Sequence, residues 1–316
     1  IDFSKMKIYS GNYTFWYESS QLALKQRSDQ NKKLEEKVKE LQEFIQRFSA
    51  NASKSKQATS RKKALDKIDL SEIKPSSRKY PAILFNNLGR EAGDQILQVD
   101  NLTKVVNGEV MFKNVNFMVD KGDKIAVISQ NSLATTAFYN VLSGRDTDYT
   151  GEFKFGVTIS TADIPNDNSD YFNGKDMNLV DWLREYSDTD ADEQFVRSFL
   201  GRMLFSGEEV LKNVKVLSGG EKMRCMFSQM MLRHANLLLF DEPTNHLDLE
   251  SITALNNGLK DFKGTALFTS RDHALTESVA TRVIELTPNG SIDRMMTYDD
   301  YINSAEIAAL RAEMYK

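Results

Sequence analysis

An apolar run, NLLLF at residues 236–240, ends directly in two carboxylates, Asp241 and Glu242. A short apolar run of this kind predicts a strand that is buried on both faces. Because unpaired carboxylates are costly to bury, two of them at the end of such a strand indicate chemistry rather than packing. Asp241 is suited to hold Mg²⁺, directly or through water, and Glu242 is the candidate catalytic residue that orients or polarises an attacking water.

The sequence LSGGEK, residues 217–222, lies shortly before this strand. Ser218, Gly219 and Gly220 are expected at the start of a helix, where a hydroxyl and exposed backbone N–H groups form a site for a γ-phosphate. The glycines also let another protein surface approach the backbone closely. The motif therefore predicts a phosphate site that a second protein surface can reach.

Strand and helix patterns alternate over most of the chain after residue 95. Strands are predicted for ILQVDNL, EVMFKNVNFMV, KIAVIS, NLLLF and TALFTS, and helices for ATTAFYNVL and residues 249–261. This alternation predicts an α/β fold, with a largely parallel sheet covered by helices on both faces. Residues 176–216 have few strand signals and predict a helical subdomain.

Residues 18–79 have the pattern of a helical hairpin. From Leu34 onward, apolar residues recur at spacings of four, three, four and three, the heptad pattern of a helix that lies along a partner helix. The pattern breaks at residues 51–55, and a second helical stretch follows with apolar positions in a compatible phase. The simplest structure is an antiparallel hairpin with its tip near residues 49–57.

The net charge of −4 conceals a basic segment. Residues 20–79 carry 16 Lys and Arg against 8 Asp and Glu, a net charge of +8, which leaves −12 for the remainder. No acidic residue lies between Glu43 and Asp66, around the predicted tip. Such a tip attracts polyanions, and the attraction weakens as salt rises. A mixed-sign helix that is only a solvated face is the alternative that the charge pattern leaves open.

A single cysteine, Cys225, excludes an intramolecular disulfide and a cysteine-rich zinc module. No apolar run approaches the roughly 18 residues that span a bilayer, so no membrane insertion is expected. Both features suit a cytoplasmic protein.

LSGGEK and NLLLFDEPTNHLD together resemble the motifs of the ATP-binding-cassette (ABC) superfamily. The resemblance implies a P-loop NTPase-type ABC nucleotide-binding domain that uses ATP and Mg²⁺. In that superfamily two cassettes pack head to tail, so each nucleotide lies between the phosphate loop of one cassette and the signature motif of the other. The signature would complete the ATP site of a partner cassette. Its residues are Leu217, Ser218, Gly219, Gly220 and Glu221, and Asp248 is the D-loop counterpart.

The stretch SQNSLATT stands where the phosphate-loop pattern G-x-x-x-x-G-K-[ST] is expected. Its positions are Ser129, Gln130, Asn131, Ser132, Leu133, Ala134, Thr135 and Thr136. Only Thr136, which would hold the metal together with Asp241, matches the pattern. A Cβ at the glycine positions obstructs loop conformations with positive φ, and loss of the lysine removes a charged hydrogen bond worth about 1.5–3 kcal/mol. Nucleotide affinity is expected to fall by about one to two orders of magnitude.

Other positions of the same half-site also depart from the superfamily. Asn166, the best counterpart of the Q-loop glutamine, is one methylene shorter. Arg271 replaces the switch histidine, and His273, two residues on, is expected to point elsewhere. Neither Val105 nor Val106 offers an aromatic face for adenine. Efficient hydrolysis is therefore not expected at this site, while weak nucleotide binding stays open.

The start of the chain, IDFSKMKIYSGNYTFWYE, resembles the later stretch IELTPNGSIDRMMTYDDYI at residues 284–302. Residues 1–17 are therefore interpreted as the last strands of a first cassette. Chance similarity between two short amphipathic stretches is the alternative.

Two cassettes in one chain, joined by a basic helical hairpin and lacking membrane spans, resemble the ABC-F family of translation factors. The resemblance divides the chain into the first-cassette remnant (1–17), the linker (18–79), a second cassette (80–305) and a tail (306–316). In that family the hairpin contacts tRNA and rRNA at the ribosomal exit site. The implied phosphate-contacting residues are Lys54, Lys56, Arg61, Lys62 and Lys63.

The mechanism implied is that ATP binding closes the two cassettes and sets the hairpin in a ribosome-binding pose, and hydrolysis reopens them. Two other classes stay open. An energy-supplying subunit of a membrane transporter needs a surface that docks its membrane partner, and the sequence identifies none. A DNA-associated ABC ATPase usually separates its cassette halves by much longer coiled coils or zinc modules.

Overall fold

The computed structural model describes residues 10, 13–48, 55–66, 78–88, 91–187 and 192–316. The chain divides into two compact units, Ile1–Lys79 and Tyr80–Lys316. The described part of the first unit is helical, and the second is an α/β domain.

The first unit is a helical hairpin of α1 (Tyr13–Phe48) and α2 (Ser55–Asp66). Leu41 of α1 is buried, and the guanidinium of Arg61 on α2 lies 4.0 Å from the centroid of the Phe44 ring. Only six residues separate the end of α1 from the start of α2. A contact between the last turns of α1 and α2 therefore requires the two helices to run antiparallel. The predicted hairpin is confirmed.

Two expected boundaries of this unit differ in the structure. Residues 13–17 are helical rather than strand, because the aromatic segment continues without a break into the helical sequence that follows it. The tip is shorter than expected, since residues 55–57 belong to α2. Residues 1–9 and 49–54 lie outside the described residues.

The described part of the second unit contains nine strands. They are β1 (Leu97–Val106), β2 (Glu109–Val119), β3 (Lys124–Ile128), β4 (Thr150–Phe155), β5 (Thr161–Ile164), β6 (Leu237–Asp241), β7 (Thr265–Thr269), β8 (Arg282–Thr287) and β9 (Gly290–Arg294). Six of them form a sheet with the order β5-β6-β7-β3-β8-β9, in which only β9 is antiparallel. The predicted largely parallel sheet is confirmed.

Strands β2, β1 and β4 form a separate antiparallel sheet that was not expected. Val99 of β1 pairs with Phe117 on one side and Phe153 on the other. The sequence predicts β1 and β2 as strands but does not indicate which sheet they join, because that choice depends on partners distant in the chain.

The described part of the second unit also contains eight α-helices, which lie between and after these strands. They are α3 (Ser132–Leu142), α4 (Leu179–Arg184), α5 (Glu193–Arg202), α6 (Gly219–Leu232), α7 (Leu249–Asp261), α8 (His273–Val279), α9 (Tyr298–Asn303) and α10 (Ala305–Met314). A side chain accepts a hydrogen bond at the start of each helix and so satisfies an otherwise unpaired backbone N–H. The capping residues, in order, are Asn131, Asn178, Asp192, Ser218, Asp248, Asp272, Thr297 and Ser304.

The six-stranded sheet separates two hydrophobic clusters. Leu238 and Phe240 of β6 face the cluster that contains α4 to α7, whereas Leu237 and Leu239 face the cluster that contains α3 and the three-stranded sheet. All residues of β6 are buried, as expected for a strand covered on both faces. The described part of residues 176–216 contains helices and 3-10 turns, which confirms the predicted helical subdomain.

The residues set apart as a tail, 306–316, pack on the domain. Ile307 of α10 is 1% exposed, and Arg311 Nε donates to Glu285 Oε2 of β8 at 2.6 Å. Tyr301 Oη of α9 donates to the same oxygen at 2.8 Å. Within the described ranges, no helix is long and apolar enough to cross a membrane.

Candidate nucleotide site and signature groove

The carboxyl ends of β3, β6 and β7 meet at one edge of the six-stranded sheet. From β3 the chain passes through residues 129–131 into α3, β6 ends at Asp241, and β7 leads to Arg271. Parallel neighbouring strands present their carboxyl ends at the same edge. Residues from three distant segments therefore share one candidate site.

Asp241 is buried at this edge, with 2% of its surface exposed. Burial raises its pKa to about 6, although interactions with the Thr136 side chain and the Asn166 backbone act in the opposite direction. Its Oδ1 has no hydrogen-bond partner within the described part of the chain. A buried carboxylate oxygen without a partner, next to a threonine hydroxyl, suits the oxygen-ligand preference of Mg²⁺. Asp241 and Thr136 would hold that ion.

Glu242 follows β6 with a positive φ of 54° and is held by two backbone contacts. Its N–H donates to Thr269 O at 3.0 Å, and its Oε2 accepts from the Arg271 backbone N–H at 3.1 Å. Burial raises the pKa of Glu242, which makes the carboxylate a better proton acceptor for a water. The Arg271 side chain is 74% exposed, with Nε 3.7 Å from Glu242 Oε1.

Two polar side chains of the phosphate-loop counterpart form hydrogen bonds within the loop itself. Thr135, at the lysine position, is 2% exposed, and its Oγ1 donates to Ser132 O at 2.9 Å. Asn131 Oδ1 accepts from Leu133 N at 3.0 Å and so caps α3, and Ala134 is fully buried. A buried threonine methyl and hydroxyl thus stand where an ammonium group would reach a phosphate.

The first residues of this loop are tied to the C-terminal segment. Tyr315 Oη accepts from Gln130 N at 3.1 Å and donates to Leu286 O at 2.9 Å. Ser129 Oγ donates to the same carbonyl at 2.9 Å. Tyr315 was not predicted as a site residue, because nothing in the pattern near residue 315 indicates contact with a loop so far away in the chain.

Asn166 lies beside the candidate metal ligand Thr136. Its Nδ2 donates to Thr136 Oγ1 at 3.4 Å, and its Oδ1 accepts from Asn245 Nδ2 at 3.4 Å. Asn245 is part of the DEPTNHLD motif, but no separate role was predicted for it. His273 Nε2 pairs with Asp299 Oδ1 at 2.7 Å, so this ring does not replace the switch histidine.

The signature motif begins α6. Ser218 Oγ accepts from Glu221 N at 3.3 Å, and Ser218 N donates to Glu221 Oε2 at 2.9 Å, which together form a capping box. Lys212 Nζ donates to Glu221 Oε1 at 2.9 Å. Burial alone would raise the pKa of Glu221, but the bonds from Lys212 and Ser218 outweigh burial and lower it. Glu221 is therefore ionised at neutral pH. Leu217, which precedes Ser218, is buried.

A groove of about 430 Å³ opens at the signature. It is lined by Ser218, Gly219, Gly220, Glu221, Arg224, His246, Leu247, Asp248 and Ser251. His246, with a φ of 66°, packs against both glycines. A Cβ on Gly219 would lie 3.0 Å from His246 Cγ, and one on Gly220 would lie 2.9 Å from His246 O. The signature and the D-loop, identified from separate motifs, are thus walls of one groove.

The candidate RNA-contacting residues lie on the hairpin unit. Arg61, Lys62 and Lys63 on α2 are exposed, and Arg61 also covers the Phe44 ring. Lys56 lies in the first turn of α2. Lys54 falls outside the described residues.

The domain has the architecture of a P-loop NTPase-type nucleotide-binding domain with a helical subdomain. A solved structure titled "Structure of ATP binding subunit of ABC transporter" superposes with a TM-score of 0.57 over 70% of this chain and 100% of that one, at 21% identity. Residues 112–245 match the family model described as ABC transporter, and residues 1–85 match a second model with the same description. The second unit is therefore an ATP-binding domain of the ABC transporter family.

Two curated relatives extend the comparison to nearly the whole chain. "Uncharacterized ABC transporter ATP-binding protein YkpA" of Bacillus subtilis is 58% identical over 100% of this chain and 58% of the relative. "Energy-dependent translational throttle protein EttA" of Haemophilus influenzae is 28% identical over 90% of this chain and 50% of the relative. The chain thus spans only about half to three-fifths of the length of these relatives.

Proposed function

We propose that this chain is the linker and second cassette of an ABC-F protein, a cytoplasmic ATP-dependent factor that acts on the ribosome. The observation that carries the proposal is the exposed basic stretch of α2, in a hairpin that precedes an ABC domain. Arg61, Lys62 and Lys63 are solvent-accessible cations that suit the phosphates of tRNA and rRNA. The similarity to a protein named as a translational throttle supports the same class.

In this proposal the cassette contributes unequally to two ATP sites. Its signature groove closes over ATP bound by a first cassette, where Ser218 and the N–H groups at the start of α6 meet the γ-phosphate. Its own pocket keeps Asp241, Glu242 and Thr136 but buries the residue at the lysine position. ATP hydrolysis by the complete protein therefore depends mainly on the site that the signature completes.

Co-sedimentation with ribosomes tests the ribosomal role. The complete protein, with Glu242→Gln and the corresponding glutamate of the first cassette also replaced, is expected to pellet with ribosomes only when ATP is present. Binding should weaken as salt rises, because phosphate contacts release counterions.

A charge-matched pair of variants separates the basic stretch of α2 from the general positive charge of the hairpin. The triple variant R61S/K62S/K63S is expected to lose ATP-dependent pelleting. The triple variant K32S/K33S/K37S removes the same charge from exposed positions of α1 and should retain it. Equal retention by both variants, or pelleting unaffected by ATP, would contradict the proposal and favour a transporter subunit or a DNA-associated ATPase.

A further inference from the structure

Lys212 links the helical subdomain to the signature turn. Its backbone carbonyl accepts from Leu179 N at 3.1 Å at the start of α4. Its ammonium group donates to Glu221 Oε1 at 2.9 Å, with side-chain exposures of 40% for Lys212 and 18% for Glu221. The sequence motifs gave no indication of this residue, since it lies outside LSGGEK.

The Lys212–Glu221 pair lies where a carboxylate and an incoming phosphate would repel each other. The first turn of α6 lies at the positive end of the helix dipole, which favours an anion, yet Glu221 already places a carboxylate on that turn. Asp248 adds a second carboxylate to the same groove. Arg224 also lines the groove and adds one positive charge. A triphosphate entering the groove would meet two carboxylates and one guanidinium, so its binding depends on how far the remaining negative charge is compensated.

We propose that Lys212 is a positioning residue for ATP at the signature groove: it neutralises Glu221 and keeps that carboxylate in the capping box, so that a triphosphate can approach Ser218. The inference rests on the proposed function, in which the groove completes an ATP site. It adds that the helical subdomain supplies a charge that compensates Glu221, in addition to Arg224 of α6.

The simpler alternative is that Lys212 only docks the helical subdomain against α6. The two roles differ in what the removal of Lys212 changes. If Lys212 compensates charge, its removal raises KM for ATP, and only while Glu221 is negative. If it only holds the subdomain through its bond to Glu221, its removal lowers the free energy of unfolding and leaves KM unchanged.

The experiment measures ATPase kinetics of the complete protein in a double-mutant cycle of Lys212→Met and Glu221→Gln. In the wild-type background, Lys212→Met is expected to raise KM for ATP about three- to tenfold, with kcat much less affected. In the Glu221→Gln background, the same substitution is expected to change KM less than about twofold. The increase caused by Lys212→Met alone should shrink at high salt.

Lys215 provides a matched control on the same segment, because it pairs with Asp176 at 2.9 Å and does not line the groove. Lys215→Met should leave KM unchanged, and Lys212→Arg should preserve it. Where Lys212→Met fails to fold, as judged by thermal unfolding, Lys212→Gln takes its place in the cycle. An equal rise of KM in both backgrounds, an unchanged KM, or the same rise with Lys215→Met would overturn the inference.

Ser218→Ala distinguishes the failure of this inference from the failure of the proposed function. If Ser218→Ala leaves ATPase activity unchanged, the groove does not complete an ATP site and the proposed function is at fault. If Ser218→Ala lowers activity while Lys212→Met leaves KM unchanged, only the role of Lys212 is refuted.

Discussion

The imidazole of His246 lies against Gly219 so closely that a Cβ on the glycine would stand 3.0 Å from the ring carbon Cγ. At Gly220 the obstacle is instead the backbone carbonyl of His246, 2.9 Å from an added Cβ. Gly219 is thus constrained by the side chain of His246, most of which a substitution can remove. Gly220 is constrained by the backbone of His246, which no substitution removes.

Alanine substitutions should separate these two constraints. Gly220→Ala is expected to destabilise the domain by about 1–3 kcal/mol through overpacking, whether or not His246 is present. Gly219→Ala should cost less. In the His246→Ala background its cost should fall but not vanish, because alanine keeps the Cβ of residue 246, 3.2 Å from the added carbon. The expected coupling is about 1 kcal/mol. Urea unfolding of the three single and two double variants measures both couplings. A coupling between Gly220 and His246 as large as that at Gly219 would contradict the geometry.

Asp241 should make stability depend on pH. Its folded-state pKa is raised from 3.8 to about 6, so the ionised form disfavours folding. The free energy of unfolding is therefore highest below pH 4 with respect to this group and falls as pH rises through about 6. Without Mg²⁺ or nucleotide, Asp241→Asn is expected to be more stable than wild type above pH 6, by at most about 3 kcal/mol. The difference should shrink steadily toward pH 4. Unfolding free energies across this range measure it, and a difference that grows on acidification would refute the assignment.

Rebuilding the phosphate loop should restore nucleotide binding only as a set. Thr135→Lys alone forces a charged side chain into a buried position and is expected to destabilise the domain rather than bind ATP. S129G/A134G/T135K frees the loop backbone and supplies the missing cation, so affinity for a fluorescent ATP analogue should rise about ten- to hundredfold. Binding by Thr135→Lys equal to that of the triple variant would show that backbone freedom is not limiting.

Two arginine pairs join the end of the chain to β8 and β9 and should differ in strength. Arg311→Met leaves the carboxylate of Glu285, which is 2% exposed, with one donor fewer, and should cost about 2–4 kcal/mol. Arg294→Met breaks a pair with Glu306, whose side chain is 73% exposed, and should cost less than about 1 kcal/mol. Chemical denaturation measures both, and similar costs would indicate that Glu285 gains little from Arg311. Adding Glu285→Gln should recover part of the loss.

The elements set by local patterns were predictable, and those set by distant contacts were not. EVMFKNVNFMV coincides with β2, and residues 249–261 coincide with α7, because alternation, periodicity and a capping aspartate are all local signals. The second sheet and the packing of α10 depend on partners far away in the chain. At the candidate site, the motifs named Ser218, Asp241 and Asp248, but Lys212 and Tyr315 act from outside any motif.

The seating of α10 bears on how this protein can be shortened for study. A recombinant fragment that stops at residue 305 would lack Ile307 and Arg311. It would expose the apolar surface that Ile307 covers and leave the buried carboxylate of Glu285 with Tyr301 but without the Arg311 guanidinium. It would also release Gln130 from Tyr315. Fragments for crystallisation should end after Tyr315, and C-terminal fusions should begin after it, so that the loop of the nucleotide site keeps its hydrogen bond to Tyr315.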